Sequence, residues 1–354
     1  MLSAGNAVQA AGVTEPQQFC KSLAHRLAHV NEARCNAAQL EVGAHSVQKR
    51  PLLVRDFPQT ETTGGEPPRV LMVGAIHGDE LAAVELVFDW MHRLDTTKER
   101  SVYWRVAPLV NPDGLFARNP TRVNAAGVDL NRNFPAPDAA TQALKYWITK
   151  TGRDPHRYPG VAPASEPETR WLVEQIAKFQ PDAIISVHAP YGVLDYDGPP
   201  EAPHKVGYLR LQPIGTYPGS LGDYAGLSLG LPVVTLELPQ STRIPTKEES
   251  SRMWADLGDW LNHHLPAHRH TAPAQTASAA INDEKRDFLE AAGEPDVPID
   301  SSWAECIFTS PASASRWPTQ TTAGSSLFGT CPVTSGSVRA DTGAVASVPW
   351  IRAM

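Results

Sequence analysis

The chain has 354 residues, which suits one large domain with extensions or two domains. Hydrophobic residues make up 42% of it and charged residues 19%, so it can bury a substantial core and wholesale disorder is excluded. The formal net charge of -7 provides no positive field that would draw the chain to nucleic acid or to an anionic membrane. We therefore expect neither partner.

Membrane insertion and secretion are also not expected from the sequence. No apolar run approaches the roughly 18 residues of a membrane-spanning helix, and the first residues lack the cationic start and apolar stretch of a secretory signal. The four cysteines, Cys20, Cys35, Cys306 and Cys331, are too few for a disulfide scaffold, and none forms a C-x-x-C pair. We expect reduced thiols and a cytosolic protein.

The predicted elements begin with one amphipathic lead-in helix over residues 14–38, where Thr14 and Gln17 have the spacing of a capping box. After it, short apolar runs that end at Gly or Pro alternate with helical patterns. The predicted strands are 51–56, 69–76, 102–110, 183–187 and 233–238, and the predicted helices are 79–94, 168–179 and 248–265. This alternation predicts an α/β fold, a three-layer α/β/α sandwich with a mixed, mostly parallel sheet.

Changes of pattern divide the chain into three predicted parts. Residues 1–45 form the helical lead-in, residues 46–270 form the α/β domain, and residues 271–354 form a low-complexity tail. From residue 301 on, roughly three residues in five are Ser, Thr, Ala, Gly or Pro, which leaves too little apolar surface to repay the entropy of ordering. We expect this tail to be mostly disordered.

The segment VLMVGAIHGDE, residues 70–80, contains the first two candidate metal ligands. His77 follows a predicted strand, and Glu80 lies in the first turn of the next predicted helix. Functional groups gather at the carboxyl ends of strands in an open α/β sheet, so an imidazole and a carboxylate three residues apart can converge on one ion. On its own, the pair is more typical of a surface histidine beside a helix-capping acid, so a third ligand is required.

A third candidate ligand is His188, which ends the predicted strand in SVHAP. Alone, it would be an ordinary histidine at the end of a strand. Two histidines and one glutamate on separate segments, however, are the open ligand set of a zinc hydrolase, which leaves one coordination position for water. The three residues together therefore indicate a zinc site.

Glu237, in VVTLELP, is the candidate general base. It lies between Leu236 and Leu238 in an apolar strand, where a charge is costly unless it is paired or close to a metal ion. The structural alternative is a buried ion pair with an arginine. A catalytic carboxylate explains the position better than a structural one.

Five segments, HGDE, NPDG, TRVNAAGVDLNRNFP, SVHAP and TLELP, give the sequence its resemblance to a known family. Their order and spacing resemble those of zinc metallocarboxypeptidases of the carboxypeptidase A type, over roughly residues 46–265. The resemblance implies the fold of that family and one zinc ion held by His77, Glu80 and His188. It also implies that Glu237 is the general base and acid.

Further roles follow from the same resemblance, on the residues that match the family's motifs. Asn131 and Arg132, in DLNRN, match the pair that holds the terminal carboxylate of the substrate. Arg122, in PTRVN, matches the arginine that stabilises the oxyanion, and Tyr217, in TYPGSLGDY, matches the mobile tyrosine that closes over the substrate. The loops that lead to Arg122 and Tyr217 are shorter than in digestive members of the family.

The substrate expected from the resemblance is a murein tripeptide. Within the family, the motifs look most like those of bacterial cytosolic members that cut the γ-D-glutamyl bond to meso-diaminopimelate. Asp195 and Asp197, in LDYDG, are either turn residues or partners for the ammonium group of diaminopimelate. The oligomeric state is left open.

Three other functions are compatible with parts of the sequence. One is a general metallocarboxypeptidase that acts on ordinary peptides. Another is an acylamino-acid deacylase of the aspartoacylase and succinylglutamate desuccinylase type, which also uses H-x-x-E and a later histidine, although NPDG and GVDLNRNFP favour the carboxypeptidase side. The third, an inactive binding module, is disfavoured because every predicted ligand and the base are present.

Overall fold

The computed structural model describes residues 14–60 and 66–265, so the predicted tail, Cys306 and Cys331 lie outside the described residues. The α-helices are α1 (Glu15–Arg26), α2 (Glu32–Ala37), α3 (Leu81–Thr96), α4 (Pro112–Phe116), α5 (Ala139–Thr149), α6 (Pro167–Phe179) and α7 (Lys247–His264). The strands are β1 (Glu41–His45), β2 (Pro51–Phe57), β3 (Arg69–Gly74), β4 (Tyr103–Ala107), β5 (Ala183–His188), β6 (Leu194–Asp197), β7 (Lys205–Val206), β8 (Leu209–Arg210) and β9 (Val233–Glu237). Short 3₁₀ turns occupy Leu130–Arg132 and Pro155–Arg157, and a π-helix occupies Gly222–Ser228.

Seven of these strands form one mixed sheet in the order β1-β2-β4-β3-β5-β9-β6. The four strands at its centre, β4, β3, β5 and β9, are parallel, whereas β1, β2 and β6 pair in antiparallel fashion toward the rims. The central strands β3 and β5 are apolar along most of their length because helices cover both of their faces. The parallel centre places the ends of β3, β5 and β9 at one edge.

The side chains of β3 show how the sheet is enclosed in two apolar layers. Val70 and Met72 belong to the core that α1, α3 and α7 complete, whereas Leu71 and Val73 belong to the core that α6 completes. Successive residues of a strand point to opposite faces, so helices must cover both sides. The predicted three-layer α/β/α sandwich is confirmed.

The predicted single lead-in helix is wrong, because the chain turns after α1 and begins a second helix. Asn31 starts α2 as its N-cap, with its side chain accepting a hydrogen bond from the Arg34 backbone N–H at 3.0 Å. Leu27 and Val30, in the connection, are both buried, so the apolar pattern continues through the break. We call residues 15–37 the N-terminal hairpin.

The expectation of reduced thiols is wrong for Cys20 and Cys35, which form a disulfide with a Cα–Cα distance of 5.6 Å. The bond joins α1 to α2 inside the hydrophobic core, since both residues are buried. The sequence gave no local sign of this disulfide, because the two cysteines are 15 residues apart and do not form a C-x-x-C motif. Disulfides persist in oxidising compartments and are rare in the cytosol, so the cysteines no longer support a cytosolic protein.

Among the described residues, no helix is both long enough and apolar enough to cross a bilayer.

Candidate active site

Three side chains with metal-binding atoms converge at the carboxyl ends of the central strands. His77 and Glu80 lie in the turn between β3 and α3, and His188 is the last residue of β5. All three are buried, and their donor atoms lie within 4.8 Å of one another. Glu80 Oε1 is 2.7 Å from His77 Nδ1, and Glu80 Oε2 is 3.0 Å from His188 Nδ1. The structure thus brings the three predicted ligands together.

The turn that carries two of these residues packs closely against α4. Ala75, at a φ of 46°, bends the chain directly after β3. A Cβ atom at Gly78 would lie 2.3 Å from the Gly114 carbonyl carbon, so only glycine permits this approach. Glu80 is the N-cap residue of α3 and not part of its first turn as predicted. The ligand geometry therefore depends on the contact between this turn and α4.

Asp129 is a buried carboxylate that connects a proposed metal ligand to an arginine. Its Oδ1 accepts a hydrogen bond from His77 Nε2 at 3.1 Å, and its Oδ2 accepts one from Arg122 Nε at 2.9 Å. Burial alone would raise the pKa of Asp129, but Arg122 and His77 hold it well below its usual range. An ionised Asp129 keeps the His77 proton on Nε2, which leaves Nδ1 for a metal ion.

The charges of the three proposed ligands and their neighbours shift one another's pKa values. Burial alone would raise the pKa of Glu80, but His77 and His188 lower it to about 2. Burial and the Arg122 cation lower the pKa of His77, yet Glu80 and Asp129 outweigh them and raise it. These shifts favour an anionic Glu80 and a His77 that holds its proton more tightly than usual, so a metal ion bound here would compete with that proton.

Glu237 lies beside His188 because β9 pairs with β5 in parallel register, with these two residues as Cα partners. It is 5% exposed, and its Oε2 lacks a hydrogen-bond partner within the described part of the chain. Burial raises the pKa of Glu237, and this effect together with the Glu80 charge outweighs the lowering by His188 and His77. The alternative of an ion pair between Glu237 and an arginine finds no support. The arginine ion pairs among residues 14–60 and 66–265 join other carboxylates and not Glu237. A carboxylate in this position is suited to accept a proton.

A cavity of about 360 Å³ opens beside the ligands. Seven of the eight residues predicted for the site line this cavity. The eighth, Glu80, is not part of the lining but contacts both His77 and His188. The seven lining residues are His77, Arg122, Asn131, Arg132, His188, Tyr217 and Glu237.

Arg132 presents a buried cation to the cavity. Its guanidinium lies 4.3 Å from the centroid of the Tyr217 ring, its Nη1 donates to the Asn131 carbonyl at 2.6 Å, and it is 6% exposed. Its Nε lacks a partner among the described residues. Burial lowers the pKa of Arg132, and with the neighbouring cations Arg122 and Arg157 it outweighs the raising effect of Asp129. A guanidinium with unused donors in such a site is well suited to bind a carboxylate.

Asp195 and Asp197 lie on β6 and not in a turn. Asp195 faces Thr235 across the β6–β9 pairing, and Thr235 in turn faces Ser186 across the β9–β5 pairing. Asp195 accepts a hydrogen bond from the Ile214 backbone N–H at 3.1 Å. Burial raises the pKa of both aspartates. Both line the cavity, so it has an acidic wall as well as a cationic one.

Sequence reasoning missed several residues of this site. Asp129 lies inside the DLNRN segment, so an acid two residues before Asn131 was a usable signal. Ser186 and Thr235 precede His188 and Glu237 by two residues, and the period of two in a strand puts each pair on one face. Arg157 also lines the cavity. It follows α5, which was not predicted, and nothing in the sequence pointed to this arginine.

The match to a known family agrees with this geometry. The sequence profile described as zinc carboxypeptidase matches residues 23–203, which is half of the chain. The chain belongs to the zinc carboxypeptidase family, and it is a peptide hydrolase of that family.

Relatives of this chain include two kinds of enzyme. Murein peptide amidase A of Escherichia coli (strain K12) is 31% identical over 197 residues, which cover 54% of this chain and 79% of the relative. The carboxypeptidase N catalytic chain of Homo sapiens is 30% identical over 190 residues, which cover 47% of this chain and 40% of that protein. The first match spans most of its relative and the second does not.

Solved structures resemble the chain as well. Carboxypeptidase A from Helicoverpa armigera has a TM-score of 0.50 at 19% identity and covers 68% of this chain and 70% of that one, which shows the shared fold. The murein-tripeptide amidase from Escherichia coli O157 is 27% identical, with a TM-score of 0.45, and covers 62% of this chain and 90% of that chain.

Proposed function

We propose that this protein is a zinc-dependent amidase that cleaves the γ-D-glutamyl bond to meso-diaminopimelate in murein peptides. The observation that carries the proposal is the convergence of His77, Glu80 and His188 with Glu237 at the edge of one cavity. The murein peptide amidases among the relatives support the choice of substrate.

The donor set supports zinc as the cofactor. Two imidazoles and one carboxylate are the ligands that zinc takes in hydrolases, with one position left for water or substrate. His77 and His188 both turn Nδ1 toward Glu80, and Asp129 fixes the proton of His77 on the opposite nitrogen. When bound, zinc supplies polarisation of the scissile carbonyl and a lowered pKa for water.

The residues of the chain itself supply the proton transfers and the positioning. Glu237 takes the proton of the attacking water and returns it to the leaving amine. Arg122, held by its hydrogen bonds to Asp129, faces the oxyanion that develops on the carbonyl oxygen. Because this charge exists only as the reaction proceeds, its stabilisation lowers the barrier and not the energy of the bound substrate.

The two walls of the cavity support a substrate that carries charges of both signs. Arg132 and Asn131 hold the carboxylate next to the scissile bond, and Tyr217 closes over it. Diaminopimelate also has an ammonium and a carboxylate at its far end, and the acidic wall of Asp195 and Asp197 takes the ammonium.

An ordinary carboxypeptidase specific for basic residues is the second candidate, because the acidic wall also fits the cation of a lysine side chain. The partial match to the carboxypeptidase N catalytic chain supports a carboxypeptidase in general. The match to the zinc carboxypeptidase profile favours both of these peptidases over the acylamino-acid deacylase.

Turnover of the purified zinc protein on three peptides tests the proposal. L-Ala-γ-D-Glu-meso-diaminopimelate, hippuryl-Lys and hippuryl-Phe are incubated separately, and the products are identified by mass spectrometry. We expect kcat/KM to favour the murein peptide by about 10²-fold or more, because buried polar groups left unpaired by the other substrates are penalised. Comparable kcat/KM on all three would overturn the amidase proposal, and preference for hippuryl-Lys would establish the second candidate.

A variant of the acidic wall makes this test sharper. Asp195→Asn should reduce the preference for the murein peptide and leave the zinc content unchanged. The matched control is Glu174→Gln, which removes one exposed charge from α6. An unchanged preference in Asp195→Asn would remove the acidic wall from the proposal.

The compartment is a separate question: the sequence predicts the cytosol, whereas the Cys20–Cys35 disulfide favours an oxidising compartment, and the redox state of these cysteines in cells decides between them. Cells are lysed in denaturant with an alkylating agent, and the state of Cys20 and Cys35 is determined by mass spectrometry. Alkylated cysteines would support the cytosol. A Cys20–Cys35 bond would contradict it, since such bonds persist in oxidising compartments.

A further inference from the structure

Arg26, the last residue of α1, connects the N-terminal hairpin to α4. Its Nε donates to the Leu115 carbonyl at 3.0 Å, and its Nη2 donates to the Ala117 carbonyl at 2.8 Å. Leu115 lies at the end of α4 and Ala117 is its C-cap residue. The carbonyls at the end of a helix have no partner inside it, so Arg26 supplies the hydrogen bonds that complete α4.

α4 in turn holds the segment that carries Arg122. The Gly114 carbonyl accepts a hydrogen bond from the Thr121 backbone N–H at 3.1 Å, and Asn111 Nδ2 donates to the Arg122 carbonyl at 3.0 Å. Asn111 is itself the N-cap of α4, where its Oδ1 accepts from the Gly114 N–H at 2.9 Å. The backbone at Arg122 is therefore tied directly to α4.

A disulfide and an aromatic contact hold the N-terminal hairpin in position. The Cys20–Cys35 disulfide joins its two helices in the core, and the ring of Phe19 packs edge-on against that of Phe116, with centroids 5.5 Å apart. Phe116 is the last residue of α4. The contact between Phe19 and Phe116 and the two hydrogen bonds from Arg26 thus fix α4 to the hairpin.

We propose that Arg26 is a positioning residue for catalysis, which holds α4 and thereby keeps the Arg122 guanidinium in line with the oxyanion. The inference rests on the proposed role of Arg122. Arg26 lines no part of the cavity that Arg122 enters, so it acts through geometry alone. Because the oxyanion exists only during the reaction, displacement of Arg122 lowers kcat more than it raises KM.

A double-mutant cycle on kcat tests this coupling. Arg26→Met, Arg122→Met and the double variant are loaded with zinc, and turnover is measured on L-Ala-γ-D-Glu-meso-diaminopimelate and on hippuryl-Lys. A displacement of about 1 Å can cost up to about 10²-fold in rate, so we expect Arg26→Met to lose about tenfold in kcat with KM changed less than about twofold. In the Arg122→Met background the same substitution should cost less than about twofold, since its target is gone.

Two further variants separate positioning from loss of stability. Arg26→Lys keeps the cation but has one nitrogen in place of the guanidinium fork, so its kcat should lie between those of the wild type and Arg26→Met. Lys21→Met removes a cation from the exposed side of α1 and should leave kcat unchanged. Thermal unfolding and zinc content are measured for every variant.

Each outcome bears on the proposal. An equal loss of kcat from Arg26→Met with and without Arg122 would overturn it, because Arg26 would then act on something other than Arg122. Unchanged kcat in Arg26→Met would overturn it as well, and if that variant fails to fold, wild-type kcat in a folded Arg26→Lys would do the same. Full activity of Arg122→Met is a different failure, since it would refute the proposed role of Arg122 itself.

Discussion

Replacing Gly78 by alanine should weaken the metal site without changing any of its ligands. The added Cβ would lie 2.3 Å from the Gly114 carbonyl carbon and 2.4 Å from the Leu115 backbone nitrogen, whereas ordinary contacts begin at 3.4 Å. Both atoms belong to backbone, so no side chain can rotate away, and the turn must move from α4 by about 1 Å. Overpacking of this kind costs about 1–3 kcal/mol of folding stability.

The consequence for function follows from the position of Gly78 between His77 and Glu80. A turn displaced by about 1 Å no longer holds both ligands at the distances a metal ion requires, and we expect zinc affinity to fall by about 10–100-fold. Competition with a chromophoric chelator measures this affinity. Thermal unfolding of the metal-free protein measures the stability loss separately.

Gly258→Ala is the control for this substitution. Gly258 lies within α7, and a Cβ there meets nothing within 4 Å. Alanine is the better helix former, so this variant should gain up to about 1 kcal/mol of stability and keep its zinc affinity. If Gly78→Ala also kept both zinc affinity and melting temperature, the tight contact between the turn and α4 would be refuted.

Three other predictions concern the same site. Glu237→Gln should retain zinc by elemental analysis yet lose about 10²–10⁴-fold in turnover, and loss of zinc would instead make Glu237 a ligand. Asp129→Asn should weaken zinc binding by about 10–100-fold in the chelator competition, because the His77 proton is no longer held on Nε2, and unchanged affinity would contradict this. Because the pKa of His77 is raised, zinc affinity should fall as the pH drops through that raised value, and binding measured below that value should release about one proton. Calorimetry in buffers of different ionisation enthalpy counts the proton, and binding without proton release would refute the role given to His77.

The centre of the fold was predictable because its strands carry an unambiguous signal. β3, β5 and β9 are short apolar runs followed by polar residues at the sheet edge, and the helices α3, α6 and α7 show regular apolar faces. β6 was missed because Asp195 and Asp197 turn toward the cavity, which interrupts the apolar pattern of a strand. The π-helix was missed because it contains Gly222 and Gly226, which lie against Asp197 and normally mark loops.

The site was predictable where a residue type is unusual for its position, as Glu237 is in an apolar strand. Residues whose importance depends on contacts between distant segments gave no such sign. Arg26 is an unremarkable arginine at the end of an amphipathic helix, and only the folded chain brings it to Leu115 and Ala117. The Cys20–Cys35 bond depends in the same way on a turn between two helices that share one apolar pattern.

The pairing of His188 with Glu237 across two parallel strands has a consequence for how this protein can change. Their separation is set by backbone hydrogen bonds of the sheet, and not by the loops that supply Arg122, Tyr217 and other lining residues. Insertions between β6 and β9 can therefore reshape the cavity while the distance between His188 and Glu237 stays the same. A one-residue slip of β9, by contrast, would carry Glu237 to the opposite face. The shape of the cavity can therefore vary, whereas the relative position of His188 and Glu237 is fixed by the sheet.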